Sequence, residues 1–94
     1  MKVVEIDLTG CKSLRELHAR IRVALDFPEW YGANWSAFWD VISRECDADK
    51  LIIKGEDTLS SSFDDHLKIM HELLEENKKL WADSDCPFDY EIVS

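Results

Sequence analysis

The sequence predicts an α/β fold, a three-stranded parallel sheet with helices packed on it in the order β-α-α-β-α-β. Three observations predict it. Strand-like runs recur at 3–8, 51–53 and 88–93, the first two short, apolar and β-branched, as buried strands read. Between them apolar residues return at the three-four spacing of a helix, over stretches long enough to cross back over a sheet. Turn residues close each element, and alternation of this kind implies parallel strands with right-handed connections.

Val3, Val4, Ile6 and Leu8 form the first strand, expected to be buried, and Thr9-Gly10 close it. Ser13-Leu14-Arg15-Glu16 then has the form of a capping box, with Leu14, Leu17, Ile21, Ala24 and Leu25 on one helical face. Phe27-Pro28 should end this helix, since a residue before proline is pushed out of the α region. Gly32 gives the following turn its backbone freedom, and Asn34 is a good cap for a second helix. Trp35, Phe38, Trp39 and Ile42 set the apolar stripe of that helix, which should fade near Cys46-Asp47. Leu51-Ile52-Ile53, between Lys50 and Lys54, is a second buried strand stopped at Gly55.

The polar, serine-rich stretch 56–62 is expected to be a loop with room for one helical turn. Phe63, Leu67, Met70, Leu74 and Trp81, with Leu73 and Leu80 beside them, line one side of a long helix. Its other side carries Asp64, Asp65, Glu72, Glu75, Glu76, Lys78 and Lys79. Residues 83–87 break the helix and 88–93 form the third strand.

Ninety-four residues make one domain, 1–94, with a single modest core. No apolar run approaches a membrane span, and an acid, Glu5, arrives before any signal-peptide core could form, so a soluble, cytoplasmic protein is expected. Cys11, Cys46 and Cys86 are odd in number and lack a CxxC pair, which reads as reduced thiols rather than a disulfide framework or structural zinc. Twenty acids against eleven bases leave a net charge of −9. That disfavours direct nucleic-acid binding and fits a basic partner or plain solubility.

Residues 28–40 hold three of the four tryptophans, a glycine turn and a helix start. At about 100° per residue, Ser36, Trp39, Asp40 and Ser43 share one flank of the helix, and Phe38 lies across the apolar stripe. Trp39 is thus expected at the rim, where an indole can be half core and half contact surface, beside an outward carboxylate on Asp40. These are the parts of a rigid binding knuckle suited to a basic pocket.

The segment 27–40 follows a dense pattern: an apolar residue, Pro, Glu, aromatic, Tyr, Gly, any, Asn, apolar, any, Ala, apolar, Trp, Asp. In this pattern and in element order the chain resembles the barstar family, cytoplasmic inhibitors of a secreted bacterial ribonuclease. The resemblance implies a three-stranded parallel sheet and no enzymatic activity. The partner it implies is a cognate basic ribonuclease toxin, blocked by an immunity or antitoxin protein.

A ribonuclease site concentrates cations to hold a phosphodiester, and a carboxylate placed there imitates the phosphate. The family's closing aspartate is itself a standing example of a binding hot spot, and the resemblance carries that role to Asp40. It also places Trp30, Tyr31, Gly32, Asn34 and Trp39 in or beside the interface, although Tyr31 could equally be core. Ser36 stands where the family usually has a second acid, and Arg44 closes the same flank near Ser43. One acid in place of two points to a different cognate toxin, whose site is less uniformly basic or whose contacts lie elsewhere. The family's further acids on the last helix could correspond to Glu72, Glu75 or Glu76, and the spacing leaves the choice open.

Other chemistries find little support. His66 and His71 are five apart, not the four of a zinc-binding helix pair. Asp64-Asp65-His66 is the best metal candidate, yet acids at a helix start serve the dipole. His18 falls on a side read as exposed, without an acid or nucleophile beside it. No phosphate cradle or nucleophile elbow occurs, so neither a cofactor nor a catalytic residue is expected. A monomer is expected when free. The alternative is a regulatory or scaffold domain of the same fold, binding a non-nuclease protein through the same aromatic turn; rescue by co-expression with a neighbouring ribonuclease would separate the two.

Overall fold

Three parallel strands, β1 (Val3–Asp7), β2 (Lys50–Lys54) and β3 (Asp89–Val93), lie side by side in chain order. The computed structural model describes residues 2–27, 31, 34–44, 49–85 and 87–93. Helices α1 (Leu14–Leu25) and α2 (Trp35–Arg44) connect β1 to β2, and α3 (Asp64–Leu80) connects β2 to β3. Val4, Leu51 and Tyr90 stand in register across the sheet, as do Ile6, Ile53 and Ile92. These residues face the helices.

The expectation of wholly buried strands needs correction. Only alternate residues turn inward, and Val3, Glu5 and Asp7 on β1 are exposed. Sequential neighbours joined by right-handed connections receive all their helices on one face, which leaves the other face wet. Cross-strand pairs occupy that face, Lys54 to Glu5 at 3.2 Å and Lys50 to Glu91 at 3.9 Å. Charge on an open sheet also guards its edges against pairing with other chains.

Helix α1 begins as read: the Ser13 hydroxyl accepts the Glu16 N–H at 3.1 Å. The Glu16 carboxylate reaches back one residue further than a capping box requires, to the Lys12 N–H at 3.0 Å, and also holds Arg20 at 2.9 Å. The helix stops one turn-residue before Phe27-Pro28. Asp26 adopts the left-handed conformation, φ 53°, and Phe27 donates to the Arg22 carbonyl at 2.9 Å while Asp26 donates to Val23 at 3.3 Å. That pair of bonds is a Schellman end, with Asp in the place glycine usually takes.

The stretch after β2 is more ordered than a loop. Two 3-10 turns, Glu56–Thr58 and Ser61–Phe63, lead directly into α3. Leu67, Met70, Leu74 and Asn77 of α3 are buried, whereas Leu80, read as part of the apolar side, is 57 % exposed. Polar ties fix the other flank of α3. Tyr90 donates to Glu75 at 2.8 Å, Lys78 meets Asp89 at 3.1 Å, and His71 Nε2 lies 2.8 Å from the Glu56 carboxylate. Among the described residues no helix is long and apolar enough to cross a membrane.

Candidate functional site

The local chemistry of residues 31–44 sets the geometry of the site. Asn34 Oδ1 accepts the Ala37 N–H at 2.7 Å, and the Asn34 carbonyl accepts from Phe38 at 3.1 Å, so the cap starts α2 where the sequence placed it. Phe38, Val41 and Ile42 anchor the helix in the core. With that stripe inward, Trp35 and Trp39 are half-buried, and Ser36, Asp40 and Arg44 are exposed. Neither Asp40 nor Arg44 forms an ion pair among the described residues.

Ser43 lies on the expected flank, but its hydroxyl is engaged, donating back to the Trp39 carbonyl at 2.6 Å. Tyr31 is turned inward and only 8 % exposed, the core position that the sequence left open for it. Its ring packs on Phe27 at 5.2 Å and its hydroxyl shares a 2.8 Å hydrogen bond with His18 Nδ1. Burial raises the phenol's pKa well above its ordinary value. Trp30 and Gly32 lie outside the described residues, as do Cys46 and Cys86.

His18 is the residue that sequence reasoning misplaced. It is 1 % exposed, not solvent-facing. Positions 14, 17, 18, 21 and 25 fit a helical stripe, so the signal was present in the spacing. Its ring packs on Trp35 at 4.4 Å, and Trp35 Nε1 donates to His66 Nδ1 at 3.3 Å. Burial, with His66 as a smaller contributor, pushes the His18 pKa down to about 4. The imidazole is therefore neutral at pH 7, and its Nε2 has no hydrogen-bond partner among the described residues. The contacts from Tyr31 through His18 and Trp35 to His66 join Tyr31, α1, α2 and α3.

His66 is thus occupied by an indole N–H, and no group of three or more His, Cys, Asp or Glu among the described residues could hold a metal ion. Cys11 is buried, its thiol donating to the Ser13 carbonyl at 3.4 Å, and burial raises its pKa. It is poorly set to react.

An exposed carboxylate beside a half-buried indole on a well-capped helix, above a three-stranded parallel sheet, is the arrangement the motif implied. The family model described as Barstar (barnase inhibitor) matches residues 1–93. The chain belongs to the barstar family. A curated relative, "Putative ribonuclease inhibitor YrdF" of Bacillus subtilis (strain 168), is 30 % identical over 83 residues, covering 83 % of this chain and 91 % of the relative. Both matches span nearly the whole fold, so membership in the barstar family does not hang on the aromatic segment alone.

Proposed function

We propose that the protein is a cytoplasmic inhibitor, an immunity or antitoxin protein, that binds a bacterial ribonuclease and covers its active site with the exposed end of α2. The observation that carries this reading is the Asp40 carboxylate. It is exposed, has no ion pair among the described residues, and sits beside the half-buried Trp39 on a helix fixed by the core. Barstar-family membership supplies the partner class.

In the mechanism, Asp40 enters the cationic cleft that would hold an RNA phosphate and accepts charge-assisted hydrogen bonds there. Trp39 covers the rim of the contact and excludes water, which strengthens the charge pairing. Trp30, Gly32 and Asn34 contribute contacts beside it, and the buried Tyr31 anchors this part of the chain to α1 through His18. Inhibition is by occupancy, and the protein performs no bond-breaking step of its own.

The test is a titration against RNA cleavage by barnase and by a basic ribonuclease co-purified from the native cell at low salt. Stoichiometric inhibition is expected. Asp40→Ala should weaken it by about 2–5 kcal/mol if the carboxylate is buried against a cation in the complex, with the circular dichroism of the free protein unchanged. Full-strength inhibition by that variant would discard the mechanism.

A further inference from the structure

Helices α2 and α3 leave an open groove between their outer edges. Trp35, Ser36, Trp39 and Asp40 face Ile69 and Leu73 across a space of about 370 Å³, enough for one large apolar side chain. The walls are indole and branched aliphatic carbon, and the Trp35 N–H is already committed to His66. Ile69 is 38 % exposed, and Trp35, Trp39 and Leu73 are only partly buried against the core. The apolar surface is therefore contiguous, and open among the described residues.

Acids outnumber bases around this floor, with Arg44, one turn beyond Asp40, and Lys68, next to Ile69 in sequence, as exposed cations on the same two helices. Asp40 stands on the α2 side, exposed and without an ion pair among the described residues. On α3 the positions four before and three and seven after Ile69 are Asp65, Glu72 and Glu76, all exposed and likewise without ion pairs among the described residues. An apolar floor with an anionic lip complements an apolar group carried next to a cation. Ser36 matters here: a carboxylate at the groove's edge would be desolvated by an entering apolar group, while a hydroxyl loses far less hydration.

We propose that this groove seats a large apolar side chain of the partner protein, adjacent to the cation that Asp40 pairs, so that α2 and α3 together select an apolar-plus-cationic pair. The inference rests on Asp40 meeting a cation of the partner. It adds Ile69, Leu73 and Ser36 as the residues that choose among basic partners.

The probes are three capped dipeptides, acetyl-Phe-Arg-amide, acetyl-Ala-Arg-amide and acetyl-Phe-Ala-amide, titrated into methyl-labelled protein by NMR. The Phe-Arg probe should shift the Ile69 and Leu73 methyls and the Trp39 indole signal, and bind at least ~10-fold more tightly than either of the others, given the burial of one aromatic ring. Ile69→Asp should remove those shifts, and Ser36→Asp should reduce them. Unmoved methyls, or equal binding of the three probes, would overturn the proposal. In the ribonuclease assay Ile69→Asp, and the milder Ile69→Ala, should weaken inhibition with the thermal midpoint kept near wild type. If Asp40→Ala weakens inhibition but neither Ile69 variant does, the groove proposal fails and the inhibitor reading stands. If the Phe-Arg probe seats in the groove but no ribonuclease is inhibited, the reverse holds.

Discussion

Gly55 follows β2 at φ 82°, and a Cβ built there would run into Thr9 Oγ1 and lie 2.5 Å from the Thr9 backbone nitrogen. Gly10 also has a positive φ, 70°, yet its Cβ would meet nothing within 4 Å. The two glycines separate strain from crowding. Gly10→Ala should cost only the left-handed penalty, about 1–2 kcal/mol. Gly55→Ala adds a clash with backbone that cannot yield, for about 2–4 kcal/mol in total. Urea unfolding of both variants checks this, and equal losses would mean that the β1 end relaxes freely. His18 gives the second single-residue prediction. Its pKa falls from 6.5 to about 4 on folding, so the unfolded chain binds the proton more readily. The stability tied to neutral His18 is complete above about pH 6.5 and is lost as pH falls toward 4, by up to about 3 kcal/mol. His18→Asn, which can keep the bond to Tyr31 from the Nδ1 position, should flatten the difference in unfolding free energy between pH 7 and pH 5. An unchanged pH slope in the variant would place the titration elsewhere.

Helix starts could be read from sequence because they depend on side chains a few residues apart. Ser13 and Asn34 cap α1 and α2 as expected. The end of α1 was less readable: proline announces that the helix must stop, but the left-handed turn at Asp26 is set by two backbone hydrogen bonds that aspartate only tolerates. Strand positions were read correctly and their burial was not, since exposure of one sheet face follows from strand order and not from the strands' own residues. The rim position of Trp39 and the exposure of Asp40 follow from periodicity alone. The inward turn of Tyr31 does not, because it depends on a partner, His18, thirteen residues earlier. The groove wall on α3 was beyond local reading for the same reason. At this level the prediction concerns the cap of the binding helix. Asn34→Ala removes the acceptor of the Ala37 N–H and should cost about 1 kcal/mol. The first turn of α2, which carries Trp35 and Ser36, should then exchange amide hydrogens faster while the second half of the helix keeps its protection. Uniform loss of protection along α2 would mean that the cap supports the whole helix.

The net charge of −9 acts beyond any single contact. Glu5, Glu91, Asp89 and Glu16 are balanced locally by Lys54, Lys50, Lys78 and Arg20, whereas Asp40, Asp65, Glu72 and Glu76 have no such pairing among the described residues. The side proposed to meet the partner thus carries unpaired acids on both α2 and α3, which with the overall negative charge should draw a basic ribonuclease toward it. Steering and contact make separable demands on kinetics. Steering depends on the field several ångströms from the surface, which shrinks as the screening length falls from about 30 Å at 0.01 M salt to about 8 Å at 0.15 M. The association rate constant with a basic ribonuclease should therefore drop by about 10- to 100-fold across that range, with the dissociation rate nearly constant. Asp40→Ala should do the opposite, changing dissociation much more than association, because it removes a contact formed only after docking and about one ninth of the net charge. Stopped-flow measurements at four or five salt concentrations, for wild type and the variant, resolve both terms. An association rate insensitive to salt would show that the negative charge serves solubility alone, leaving Asp40 and the groove to account for recognition.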